Sequence, residues 1–358
     1  MPRVSVVMPS YNHAPFVREA IESVRTQSYQ DFELVITDDG SRDGTVAAIR
    51  LADDPRVRLR VFTENQGACV AINDAITRAQ GEYIAVLNSD DYFLPGKLER
   101  QVAFLDAHPE VGAVFGLPHF VDERGHAFRN PGHLFWKAFA TENQTRSQWL
   151  KQFFYRGNCL CHPTVMIRKV CYDRVGLFDP LLRQLPDWDM WIRLCRAFEI
   201  HVMPEKLTAF RVLDGERNVS APSRETLARL AWETESVLRH YAGFADEELR
   251  EIFGWRALGA SRRSARIELA LAAIQLDRTG YAQFGLALLR DCLREDRAAF
   301  SLGEYFEMVA RVDPFAVEFS GREYRWLRRT RVLLYSKRAY CWFRGHVLRW
   351  LPLHGGNS

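Results

Sequence analysis

Apolar positions in the first hundred residues change period repeatedly, and each change marks a new element. Residues 4–8 form a short β-branched run that stops at Pro9. Phe16, Val17, Ala20, Ile21 and Val24 then recur at helical spacing. Residues 32–37 predict a second strand, ended by Asp38-Asp39-Gly40-Ser41. Residues 45–52 predict a helix, 57–63 a strand, and 68–79 a helix with Ala71, Ile72, Ala75 and Ile76 inward. Residues 83–87 are apolar throughout, the pattern of a strand buried on both faces. Pro95 suits the first turn of a helix continued by Leu98, Val102 and Leu105.

Alternating strand and helix predict an α/β fold with a mostly parallel sheet, whose ligands lie at the C-terminal strand ends. Four of those ends carry hydroxyls, amides or acids: Ser10-Tyr11-Asn12, Asp38-Asp39, Glu64-Asn65, and Asn88-Ser89-Asp90-Asp91. Residues 113–218 are less regular, with a turn at 122–125, an extended run at 164–167 and an amphipathic helix at about 187–198. Beyond Ser220 the pattern is helical throughout. Ser223 is placed to cap a helix running to Tyr241, and helices over 257–276 and 281–293 would form a hairpin turned at Thr279-Gly280.

Composition narrows the class without choosing the chemistry. With 358 residues, 47% apolar and 26% charged, the chain has the make-up of a folded protein large enough for two domains. A net charge of +3 gives no case for nucleic acid. That value hides an asymmetry, because nine Lys/Arg against Glu323 alone follow residue 321, leaving the body near −5. The seven cysteines are odd in number and lack a CxxC, which predicts buried free thiols in a reducing compartment. Cys159-Leu160-Cys161-His162 has no second ligand pair at zinc-finger spacing. The N-terminus opens into a strand without a leader pattern, and no apolar run approaches the ~20 residues of a bilayer span. These features predict a cytoplasmic protein, held at most to a membrane surface.

Each acidic cluster admits two readings. Residues 88–91 could chelate a divalent cation bridging the phosphates of a nucleotide, or form a capped strand-to-helix turn. Asp38 and Asp39 could accept from a base N–H or a ribose hydroxyl, or could simply turn the chain. Trp188, Trp191, Ile192 and Cys195 at helical spacing read mainly as core. Asp187, beside Pro186 at a predicted helix start, could cap that helix or act as a general base kept ionised by the helix dipole.

Taken in order, these segments resemble the family 2 glycosyltransferases, which have the GT-A fold. The resemblance rests on residues 4–12, on 22–27 and 32–45, and on Asn65-Gln66-Gly67 with Asn73. It continues through 81–84 and 88–91, then 162–168, 175–179 and 187–191, and so spans about residues 3–220. It implies an inverting, metal-dependent transfer from a nucleotide-sugar donor, a UDP-sugar favoured, to a saccharide, lipid-linked saccharide or protein acceptor. Pro9, Tyr11, Asp38 and Asp39 would hold the base and ribose, and Asn65 and Gly67 would shape the nucleotide pocket. Ser89 and Asp90 fall in the DxD-type motif, with Asp90 and Asp91 as ligands for Mn²⁺ or Mg²⁺. Asp187 falls at the position of the catalytic base. His162, Trp188 and Arg211 would face the acceptor or the diphosphate. The chain departs from the pattern at Asn88, Pro186 and Ile72, where an acid, Glu and Arg respectively are common. The QxxRW pattern of processive synthases is absent, which favours single addition.

The resemblance divides the chain into a GT-A domain over 1–220, with a donor half (1–112) and an acceptor half (113–220), a helical domain over 221–320, and a basic segment over 321–358. In that last segment Trp326, Leu333, Tyr340 and Val347 recur every seventh residue among Arg328, Arg331, Lys337 and Arg344. A helix of this kind can lie on an anionic bilayer or pack against the helical domain. Two other classes compete. A sugar nucleotidyltransferase would carry a Gly-rich basic loop after the first strand, where this chain has Ser10-Tyr11-Asn12-His13. A silent binding or scaffold protein would have little reason to keep both Asp90 and Asp187.

Overall fold

A computed structural model describes residues 1–213, 224–255, 264–296 and 301–311. The chain opens with β1 (Val4–Ser10), α1 (Val17–Arg25), β2 (Phe32–Asp38), α2 (Thr45–Arg50), β3 (Val57–Val61), α3 (Ala68–Arg78) and β4 (Tyr83–Val86). Then come β5 (Tyr92–Phe93), α4 (Lys97–Ala107), β6 (Val111–Val121), α5 (Leu134–Ala138) and α6 (Arg146–Arg156). A 3₁₀ turn at His162–Thr164 leads to β7 (Met166–Arg168), α7 (Lys169–Val175), α8 (Pro186–Ala197) and β8 (Glu199–Arg211). Five further helices follow: α9 (Arg224–Ala242), α10 (Asp246–Phe253), α11 (Ala265–Gln275), α12 (Thr279–Glu295) and α13 (Leu302–Arg311).

The eight strands form one mixed sheet in the order β3-β2-β1-β4-β7-β6-β8-β5. β1 pairs in parallel with β2 and β4, β2 with β3, and β6 with β8; β7 and β5 run antiparallel to their neighbours. Alternation along the central strands divides the core. Val4, Val6 and Met8 face a layer with α1 and α4, while Val7 and Val86 face α3, α6 and α8. The α9–α12 helices join that second layer, since Val237, Tyr241, Phe253 and Leu289 belong to the same apolar cluster as Trp149 and Trp191. Burial on both faces explains why β1, β2 and β4 are nearly continuous in apolar character.

Several expectations shift. Pro95 lies ahead of α4, whose N-terminal flank is Gly96 in a left-handed conformation. Thr279-Gly280 is the first turn of α12, not the hairpin turn, which falls just before it at Asp277 (φ 51°). Gly280 is required instead by close helix packing, because a Cβ there would lie 2.4 Å from the Ala231 carbonyl oxygen of α9. The span 113–218 is more regular than its pattern suggested over its described part, to residue 213, with the long β6 and β8 and four α-helices. Ser223 as a cap, the start of the 257–276 helix and the basic segment over 321–358 lie outside the described residues. All six described cysteines are buried free thiols. Among the described residues, no helix is long and apolar enough to cross a membrane.

Candidate active site

The loops at the ends of β1, β2 and β3 are stitched together by short polar side chains. Asn12 adopts φ 53°, its N–H donates to Ser41 Oγ at 2.8 Å, and its Oδ1 accepts from the Arg42 N–H at 2.9 Å. The His13 N–H donates to Thr45 Oγ1, and the Ala14 N–H to Asp43 Oδ2. Asp39 reaches the next loop, its two oxygens accepting from the N–H groups of Gln66 (2.7 Å) and Gly67 (2.9 Å). Burial raises the Asp39 carboxyl, and those two N–H groups oppose the rise. Each oxygen keeps a lone pair for a ligand. Pro9 is half-buried at the end of β1, and Tyr11 and Asn65 are exposed on the same loop set. Asp38 departs from its expected place at the donor. It is fully buried and accepts from both the N–H and the Oγ of Ser41, so it shapes the turn.

The segment after β4 separates its two acids. Asp90 is half-buried, and no described residue donates a hydrogen bond to its carboxylate. His13 Nδ1 stands 3.9 Å from Asp90 Oδ1 and 2.8 Å from Ser89 Oγ. Asp91 does not join Asp90 as a candidate metal ligand. It is buried, with Oδ1 accepting from the Arg211 N–H (2.8 Å) and Oδ2 from Asn88 Nδ2 (2.9 Å). Burial, and then the neighbouring Asp90 charge, push it well above the usual carboxylate range.

Arg211 lies inside the fold and not at its expected place facing the acceptor or the diphosphate. It is 2% exposed, and its guanidinium donates to the carbonyls of Asp90, Asp122 and Glu123 and to Glu19 Oε2. It therefore fixes the backbone of the acidic loop, with four of its five N–H groups engaged inside the fold. His162 packs against Phe178 and Trp191 with ring centroids 5.3 and 5.9 Å away, and burial lowers its pKa to about 4. A neutral ring so placed is no cationic partner for phosphate. Trp188 is 2% exposed and belongs to the core, as its helical spacing predicted.

Asp187 lies in the first turn of α8. Its Oδ2 accepts from Asn158 Nδ2 at 2.6 Å and its Oδ1 from the Trp188 N–H at 2.8 Å. Asn158 is held in turn by the Leu160 N–H donating to its Oδ1, which settles the amide orientation. Burial raises the Asp187 pKa to about 6, the Trp188 hydrogen bond opposing and the Glu233 charge assisting. Desolvation thus outweighs the helix dipole expected to keep this acid low, although a pKa near 6 still leaves it ionised at neutral pH. Asp187 and Asp91 both act on the buried Cys161 thiol, which burial and then these charges push up. Asp187 likewise acts on Cys69, at the start of α3. Cys69 Sγ lies 3.3 Å from the Leu182 carbonyl oxygen, so the start of α3 meets the loop that leads into α8 and Asp187. His13 and Asn158 escaped the sequence reading because a histidine or an Asn in a turn carries no signature until its partners are known.

Comparison with known proteins gives this arrangement a family. The profile of glycosyl transferase family 2 matches residues 5–170. The Bacillus subtilis glycosyltransferase TuaG, named for teichuronic acid biosynthesis, is 42% identical over 234 residues, covering 64% of this chain and 86% of TuaG. The chain belongs to glycosyltransferase family 2. Two solved structures share the fold of this family 2 enzyme. S. aureus TarS (residues 1–349) in complex with UDP-GlcNAc has a TM-score of 0.52 and 20% identity, over 84% of this chain and 88% of that one. The mannosyltransferase PcManGT from Pyrobaculum calidifontis, in complex with GDP-Man and Mn²⁺, has a TM-score of 0.50 and 20% identity, over 95% and 83%. A mixed α/β sheet with flanking helices and a helical C-terminal region is therefore the GT-A architecture expected from the sequence.

Proposed function

We propose that this glycosyltransferase moves one sugar from a nucleotide-diphosphate donor, a UDP-sugar favoured, to an acceptor hydroxyl with inversion. The setting is synthesis of a cell-surface polysaccharide, lipopolysaccharide or other glycoconjugate on a saccharide, lipid-linked saccharide or protein. The names of TuaG and of the UDP-GlcNAc and GDP-Man complexes support this reading. Its main support is Asp187, a carboxylate with a pKa near 6 anchored by Asn158 and by the Trp188 N–H.

In this mechanism Pro9, Tyr11 and Asp39 hold the base and ribose, with Asn65 and Gly67 shaping the pocket wall. Asp187 takes the proton of the acceptor hydroxyl as its oxygen attacks the anomeric carbon, and the nucleotide diphosphate leaves from the opposite face. A positioned base contributes about 10²–10⁴-fold. Asp90, whose carboxylate no described residue hydrogen-bonds, fits a divalent ion, with Ser89 and His13 beside it. Mn²⁺ or Mg²⁺ held there would neutralise charge on the leaving diphosphate. Among the described residues no group of three ligating side chains is preassembled. The basic segment over 321–358 would hold the enzyme to the anionic inner face of the cytoplasmic membrane, a reading that liposome sedimentation tests directly.

The donor assignment is tested by thermal shift with UDP, GDP and their sugars, each with and without Mn²⁺, on wild type and Asp90→Ala. A metal-dependent rise for one nucleotide, lost in the variant, is expected. No rise with any nucleotide would remove the donor site.

A further inference from the structure

The loop that delivers Asp187 is held by a residue from outside the acceptor half. Glu233, near the middle of α9, is 0% exposed. Its Oε1 accepts from the Arg183 N–H at 3.0 Å, and its Oε2 accepts from the N–H groups of Gln184 at 2.7 Å and Leu185 at 2.9 Å. Leu185 flanks α8, and Asp187 lies two residues further on. A buried carboxylate is costly unless its charge is compensated, and here three successive backbone N–H groups supply the compensation. The arrangement fixes three consecutive peptide planes ahead of the base.

A second contact locks the same helix start from the same face of α9. His240, two turns beyond Glu233, places Nε2 2.6 Å from Asp189 Oδ1. The other oxygen of Asp189 accepts from Arg193, which also donates to the carbonyls of Val175, Gly176 and Leu177. On the cleft side, Cys69 Sγ of α3 lies 3.3 Å from the Leu182 carbonyl oxygen, tying the same loop to the helix that opens at the nucleotide loop. The loop over 182–185 is thus clamped between α3 and α9, with Asp187 at its exit.

We infer that Glu233 is a positioning residue for transfer, through which α9 of the C-terminal helical region sets the placement of Asp187. The inference rests on the reading of Asp187 as the base. It also gives the helical region a role in chemistry, which resemblance over residues 3–220 does not supply. Glu233→Gln tests it with nearly the same volume. The amide offers one acceptor oxygen, and its NH₂ opposes at least one of the three N–H groups it must meet.

The test has two arms. In the first, hydrogen exchange of the 183–185 amides is compared in wild type and Glu233→Gln; at least 10-fold faster exchange is expected, and unchanged protection would overturn the inference. In the second, nucleoside diphosphate release is measured for wild type, Glu233→Gln, Asp187→Asn and the double variant, with Kd for UDP and Mn²⁺ measured alongside. The donor is the UDP-sugar that stabilises the protein most with Mn²⁺, and water is the acceptor. A kcat at least 10-fold lower with Kd within 2-fold is expected for Glu233→Gln, with no further loss when Asp187 is already Asn. Loss of equal size in both backgrounds, or weakened UDP binding in proportion, would make Glu233 merely structural. Wild-type turnover in Asp187→Asn would instead remove the base reading itself. Should Glu233→Gln not fold, Glu233→Asp keeps the charge and shortens the reach, and the same kcat loss at unchanged Kd is required of it.

Discussion

Asn158 Nδ2 lies 2.6 Å from Asp187 Oδ2, and the Leu160 N–H on Asn158 Oδ1 leaves that amide one orientation. The contact fixes the direction of the carboxylate and leaves its other oxygen to the Trp188 N–H. Asp187→Asn is expected to lower kcat by about 10²–10⁴-fold, with donor affinity unchanged. Asn158→Ala keeps the base but frees its rotation, so a smaller loss of about 10-fold is expected, by analogy with misplacing a reacting group. Steady-state kinetics with UDP binding measured in parallel would check both. A variant that loses donor affinity in step with kcat would contradict the assignment.

The raised pKa of Asp187 also sets two pH dependences of opposite kind. On the proposed role of Asp187, turnover needs its ionised form, so kcat/KM should fall as pH drops through about 6 and level off above it. Stability runs the other way. A carboxyl whose folded pKa exceeds its unfolded value binds protons more tightly in the folded state, so its contribution falls as pH rises from about 4 to about 6. Asp187→Asn removes that slope. Its Tm relative to wild type should therefore improve between pH 4 and pH 7, which thermal melts across the range would show. A difference independent of pH would mean that the Asp187 carboxyl does not have a raised pKa.

Arg211 shows where the sequence misleads. The family resemblance would turn it to the acceptor or the diphosphate, but its charge is spent on Glu19 and three carbonyls within the fold. Arg211→Met should leave buried acceptors short of a donor, each costing about 1–3 kcal/mol, and lower stability by about 3 kcal/mol or more. Urea denaturation measures this. A stable variant with lost nucleotide binding would return Arg211 to the ligand site.

What the chain made legible was local. β1, β2 and β4 show their burial in consecutive residues, and polar strand ends follow them. β6 lacks a clear strand pattern in the sequence because Gly112, Gly116 and Pro118 interrupt its apolar run, and in the fold its pairing with β8 shifts register. Gly116 is there because a Cβ would meet Leu207 of β8 at 2.7 Å, a demand set by a strand ninety residues away. Asp90 and Asp91 are identical in sequence, and only the Arg211 N–H and Asn88 separate the open carboxylate from the buried one. Glu233 was unreadable for the same reason, since its three donors come from a loop about fifty residues earlier.

The stitching of the donor loops leads to the last prediction. Gly40 follows Asp39 with φ +74°, and a Cβ there would lie 2.7 Å from the carbonyl carbon of Glu64 and 3.0 Å from the Asn65 nitrogen. Any side chain at 40 therefore meets backbone on the β3–α3 loop, in addition to about 1–2 kcal/mol for the left-handed conformation. Relief requires moving Glu64-Asn65 away, which pulls Gln66 and Gly67 from the Asp39 carboxylate. Gly67→Ala makes a useful contrast, because φ is also positive (+100°) but nothing lies within 4 Å of the added methyl. Gly40→Ala is expected to weaken UDP binding at least 10-fold, while Gly67→Ala loses stability with a smaller change in affinity. Calorimetric titration of both variants decides the matter. Equal effects at the two glycines would show that backbone strain alone, and not the approach of the two loops, governs the nucleotide pocket.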